Sequence, residues 1–106
     1  MTERLRLPYR HLSENFNFDC EGLRFTATIG RAHDGSIAEL FLNNHKVGNQ
    51  SDTNARDAAV VCSLALQYGV PIGTIREALM RDASGKASGP LGTALDLIAM
   101  SELRSN

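Results

Sequence analysis

Residues 23–43 read LRFTATIGRAHDGSIAELFLN, and the two alternating runs on either side of Asp34-Gly35 decide the fold. In the first run Leu23, Phe25, Ala27 and Ile29 fall at every second position, with Arg24, Thr26 and Thr28 between them. Successive side chains of an extended chain point to opposite faces, so this alternation predicts a strand buried on one side. Residues 36–43 repeat the pattern through Ala38, Leu40 and Leu42. The intervening His33-Asp34-Gly35 predicts a hairpin, because both Asp and Gly tolerate positive φ. Upstream, residues 15–20 place Phe16, Phe18 and Cys20 on one face, and Glu21-Gly22 turns the chain into Leu23. A three-stranded antiparallel meander is the expected result.

Beyond Asn44 the period changes. Residues 45–51 (HKVGNQS) read as a loop, and Asp52 or Thr53 is expected to cap a helix. Its apolar positions Ala55, Ala58, Ala59, Val61, Cys62, Ala65 and Leu66 continue to a stop at Gly69. Val60 and Leu64 widen that stripe, which predicts a central helix covered by the sheet and by other helices or a partner chain. Pro71 opens a second, short helix with Ile72, Ile75 and Leu79 on one face and Arg76, Glu77 and Arg81 toward water, ending near Ala83. After a small, polar stretch at residues 84–89, Pro90 starts a third helix that buries Leu91, Ala94, Leu95 and Ile98. The order βββααα describes an α+β fold with its helices packed on one face of the sheet. Residues 14–102 are expected to form one domain, between a flexible N-terminal arm at 1–13 and a frayed end at 103–106.

Composition sets the limits on function. The chain has 106 residues, with 11 Lys+Arg against 12 Asp+Glu and a formal charge of −1. That balance offers no global attraction to nucleic acid, and the three arginines of the arm, Arg4, Arg6 and Arg10, are too few to change it. No apolar run reaches the roughly 20 residues that cross a bilayer, so no membrane association is expected. Cys20 and Cys62 fall on apolar faces and read as small buried hydrophobes in a reduced, cytoplasmic setting. His11, His33 and His45 fall in the arm, a hairpin tip and a loop, where solvation is the ordinary outcome. Asp52, Asn54, Arg56 and Asp57 read as capping and a surface ion pair. No catalytic constellation and no metal-ligand set is apparent. Lys86, Ser88 and Gly89 are the candidate ligand-binding residues: one cation, one hydroxyl and a small residue at a helix start can hold an anion or a nucleotide phosphate.

Residues 52–79 (DTNARDAAVVCSLALQYGVPIGTIREAL) followed by 87–98 (ASGPLGTALDLI) resemble the TSCPD domain, found at the C-terminus of adenosylcobalamin-dependent ribonucleotide reductases and in small stand-alone proteins. The resemblance extends over roughly residues 14 to 100, and its signposts are Lys46-Val47-Gly48, Ser63 to Leu66 with Gly69-Val70-Pro71, Ile75 with Leu79, and Ser88-Gly89-Pro90-Leu91. The signature cysteine and aspartate of the family are replaced here by Gly89 and Leu91, and the loop cysteine before the long helix is missing, so no family thiol carries over. The resemblance therefore implies a non-catalytic interaction module without a cofactor, linked to ribonucleotide reduction. The radical chemistry of the parent enzymes needs a large barrel that 106 residues cannot house. Expected partners are a second copy of the chain, through pairing of the two open sheet edges, and a reductase catalytic subunit. The alternatives are a stand-alone accessory part of a ribonucleoside-diphosphate reductase and a small anion- or nucleotide-binding protein.

Overall fold

The alternation is realised as an antiparallel sheet in a computed structural model that describes residues 13–46 and 48–104. Strands β1 (Ser13–Cys20), β2 (Leu23–Arg31) and β3 (Ile37–Asn44) lie in the order β1-β2-β3. Phe16 stands opposite Ala27, Phe18 opposite Phe25, and Ile29 opposite Leu40, so the apolar set of all three strands shares one face. The Phe18 and Phe25 rings stack with centroids 5.6 Å apart, and Phe25, Ala27, Leu40 and Leu42 are at most 1% exposed. The opposite face carries Asn17, Thr26 and His45, joined through the Thr26 hydroxyl at 2.6 and 2.7 Å. Of the expected arm, residues 1–12 lie outside the described residues, while Ser13 begins β1.

The hairpin between β2 and β3 forms by a different division of labour from the expected one. Only Gly35 takes positive φ, at 87°. Asp34 stays in the ordinary region and instead accepts from the Ser36 amide at 2.9 Å and from its hydroxyl. The side chain thus braces the turn while glycine alone supplies the left-handed step. A register shift at Gly30/Arg31 accompanies it.

Helix α1 (Gln50–Gln67) starts two residues before the expected cap. Asn49 is the N-cap, its side chain accepting from the Asp52 amide at 2.7 Å, which frees Asp52 for another task. Helix α2 (Ile72–Ala78) ends five residues short of Ala83, because Leu79 is extended and the chain turns back on itself to bridge Arg81 with Ala87. Helix α3 (Pro90–Arg104) buries Ala94, Leu95 and Ile98 against the sheet. At Gly92 a side chain would meet the Ala87 Cβ at 3.0 Å, so any larger residue there requires the bridge to give by a few tenths of an ångström.

α1 does not lie centrally between other layers. It runs along β3, with Ala55, Ala59, Cys62 and Leu66 turned into the core and Val60, Val61, Leu64 and Tyr68 left 40–67% exposed. From its inner face Ser63 bonds both backbone groups of Leu40, accepting from the amide at 2.8 Å and donating to the carbonyl at 2.9 Å. Gln67 donates to the Ala38 carbonyl at 3.0 Å, and Asp52 accepts from the Asn44 amide at 3.1 Å. These are the strand groups that β2 does not use, so α1 closes the β3 edge. The expectation of two open edges is corrected on this point: side chains of α1 already cap β3.

Candidate functional site

Among the described residues, the loop before α3, a groove beside β1 and the outer face of α1 are open to solvent. The loop holds the residues expected to bind an anion. Lys86 is exposed, but its amide donates to Asp82 Oδ1 at 3.1 Å. The Ser84 amide does the same at 2.9 Å, and the Ser84 hydroxyl joins them at 2.6 Å. The Ser88 amide donates to the Met80 carbonyl at 3.0 Å. The Gly89 carbonyl accepts from the Thr93 amide at 3.1 Å and from its hydroxyl at 2.8 Å, which places Gly89 at the start of α3. The structure thus brings Lys86, Ser88 and Gly89 into one loop, with the carboxylate of Asp82 on the Lys86 amide and the Met80 carbonyl on that of Ser88. Its pKa is lowered, first by the Ser84 hydroxyl and then by the Lys86 amide. Asp82-Ala83-Ser84 repeats the Asp-x-Ser bonding of Asp34-Gly35-Ser36, a local signal in the sequence that was open to reading and was missed.

Next to this loop, Asp96 of α3 accepts from Arg76 at 2.9 Å and from two nitrogens of Arg81 at 2.8 Å. Arg76 and Arg81 therefore do not simply face water as expected. Hydrogen bonding by Arg81, and then by Arg76, pulls the Asp96 carboxyl down to about 2 against a burial effect of opposite sign.

The groove beside β1 has a volume of about 310 Å³ and an apolar floor of Phe16, Ile29 and Leu97. Arg31 closes its rim, held by Glu14 at 2.6 Å and Glu102 at 2.7 Å. That clamp ties β1, β2 and α3 together.

The thiols are placed as expected of small hydrophobes. Cys20 and Cys62 are 8% and 3% exposed, and desolvation pushes the Cys62 thiol up to about 11, far from the thiolate that nucleophilic or redox work requires. Cys20 lies 4.0 Å from the Ser88 carbonyl and 3.8 Å from the Thr93 hydroxyl. His33 and His45 are exposed, and His11 is outside the described residues. Asp52 is corrected from a surface residue to a buried one, 3% exposed. Its pKa is lowered, chiefly by the Asn44 amide, with the Gly48 amide and Arg56 adding to the effect. Beside it the Asn44 Nδ2 is buried with no partner.

The outer face of α1 is different in kind. Val60, Val61 and Leu64 of the 18-residue helix and its C-cap Tyr68 are 51%, 67%, 40% and 49% exposed and lie on one side. Scattered exposed apolar residues are ordinary, whereas these four share the side of α1 opposite the buried Ala55, Ala59, Cys62 and Leu66.

A vitamin B12-dependent ribonucleotide reductase of Agrobacterium fabrum (strain C58) is 34% identical over 76 residues, 72% of this chain and 6% of the reductase. Its counterpart in Bradyrhizobium diazoefficiens is 32% identical over 72 residues, 68% of this chain and again 6% of the reductase. The chain is similar to a small segment of vitamin B12-dependent ribonucleotide reductases. It spans about 6% of the length of each relative. No family model matches the chain, and no solved structure does. The vitamin named for the relatives does not fit the groove beside β1, whose volume lies at the low end of small-ligand pockets, well below the needs of a corrinoid. Among the described residues no helix is long and apolar enough to cross a membrane.

Proposed function

We propose that this chain is a non-catalytic, TSCPD-like interaction module of the cytoplasm that self-associates and serves ribonucleotide reduction by docking on a reductase catalytic subunit. The observation that carries the reading is one of proportion: more than two thirds of the chain, itself a small α+β unit, aligns with 6% of a reductase. The burial of Cys20 and Cys62 supports a role without thiol chemistry. The apolar strip on α1 supports a role through contact. A closely related second reading makes the chain a detached accessory part of a ribonucleoside-diphosphate reductase, supplying in trans what the large relatives carry within one polypeptide.

The test is turnover. A vitamin B12-dependent reductase shortened by the segment that matches this chain is assayed alone and with the purified full chain added. The accessory reading expects turnover to rise with added chain until it saturates. Saturable binding with unchanged turnover leaves the docking module and removes the accessory reading, and absence of both binding and effect removes the link to the reductase. Phosphate binding at Lys86, Ser88 and Gly89 is a separate proposal that rests on the exposed ammonium of Lys86, with Asp82 as its competitor. Nucleotide titration that leaves the amide resonances of residues 85–92 unmoved removes it.

A further inference from the structure

The exposed face of α1 has a symmetry in its spacing. Asp57, Val61, Leu64 and Tyr68 are separated by four, three and four residues, all on the side of the helix away from β3. At 3.6 residues per turn each of these steps returns close to the same direction, so the four side chains line one seam. The sequence of steps reads the same from either end, with its midpoint between Cys62 and Ser63. Val60 flanks the centre of the seam, and its only charged member, Asp57, stands at one end opposite the phenolic Tyr68 at the other.

We propose that this seam docks on the same seam of a second copy, with the two α1 helices antiparallel about a two-fold axis at that midpoint. The inference rests on the self-association proposed above and names its surface. In this arrangement Val61 of each copy packs on Leu64 of the other, and the Tyr68 hydroxyl of each donates to the Asp57 carboxylate of the other. A parallel arrangement sets Asp57 against Asp57, so the charge pattern selects the antiparallel one. The helix dipoles also oppose each other only in the antiparallel case. The β3 edge is closed to pairing by Ser63, Gln67 and Asp52, which leaves α1 itself as the outer surface on that flank. The seam runs for about 17 Å along the helix. A seam of that length and one helix wide buries less than the roughly 800 Å² per partner of a standard complex, so a weak dimer is expected.

Light scattering and sedimentation of the full chain over about 1 to 500 μM test the proposal. The expected mass approaches twice 11.5 kDa at the upper concentrations. V61E alone and L64K alone are expected to stay at 11.5 kDa with unchanged far-ultraviolet circular dichroism, since both positions are exposed. An equimolar mixture of the two is expected to regain the dimer, because V61E then meets L64K across the seam while the second Val61–Leu64 contact stays native. Y68F is expected to weaken association a few-fold. A wild-type chain that remains at 11.5 kDa throughout overturns both this inference and self-association. A dimer that V61E and L64K leave intact overturns the α1 seam and leaves self-association standing. Monomeric variants that do not recombine on mixing overturn the antiparallel register.

Discussion

The two ends of the helical layer are held by different forces. On the β3 flank, α1 is attached by packing of small residues and by buried side chains that bond strand backbone, with Ser63 on Leu40, Gln67 on Ala38 and the Asp52 carboxylate on Asn44. On the opposite side of the helical layer, α2 has no fully buried residue: Ile72 and Ile75 pack on the core only partly buried, and Arg76, with Arg81 beyond the helix end, is tied to Asp96 of α3 while Asp82 braces the intervening loop. The first kind of attachment is short-ranged and dry, and the second is charged, partly solvated and open to screening. A helix fixed in the first way holds a rigid outer face, which is what a docking surface requires. The loop fixed in the second way has its polar groups already engaged with one another.

The contrast is broken most severely from the core. Leu40 is fully buried between the sheet and α1, and Leu40→Ala is expected to destabilise by about 3 kcal/mol in a urea titration through lost burial and an unfilled cavity. Ser63→Ala leaves both outward groups of Leu40 without their partner, and a cost of about 2 kcal/mol is expected. A cost below about 0.5 kcal/mol would show that water replaces the hydroxyl and that the edge is not closed by it. On the charged flank, Asp96→Asn is expected to cost about 1 kcal/mol at neutral pH, since the group is a quarter exposed and screened accordingly.

The same residue sets an acid limit. With its folded pKa of about 2 below the ordinary 3.8, Asp96 binds a proton more readily in the unfolded chain. Its contribution is present above pH 4 and is lost as the pH falls from about 4 to about 2, so wild-type stability should drop across that window more steeply than that of D96N. The smallest effect is that of salt. At about 1 M the screening length shrinks to roughly 3 Å, which should loosen α2 and residues 79–87 by a few tenths of a kcal/mol in hydrogen exchange while α1 keeps its protection. Equal loosening of both flanks would erase the distinction between them.

Much of this fold was legible because the alternation of β2 and the helical stripe of α1 are strong local periodicities. β2 follows its run of alternation from Leu23 to Arg31, and the neighbouring strands shift by one or two residues at one or both ends. What was not legible depends on long-range partners. Ser63 and Gln67 look in sequence like polar interruptions at the margin of an apolar stripe, and only the placement of β3 gives them bonding partners 23 and 29 residues away. The start of α1 was misplaced because Asn49 sits in a Gly-Asn stretch that reads as loop, although it is as good a cap as Asp52. The end of α2 was misplaced because helical periodicity runs on past Ala78, while Asp82 and Ser84 form a turn of their own. The anion candidates stand together in the chain and in the structure, but the carboxylate that holds the Lys86 amide is not legible in the sequence.

The most direct measurement is a calorimetric titration of the full chain into a vitamin B12-dependent reductase lacking the segment that matches it. The docking reading predicts saturable binding in the micromolar range with a negative heat-capacity change, as burial of apolar surface requires. No heat of binding at any temperature tested, with a folded chain and an active reductase in the cell, would contradict it.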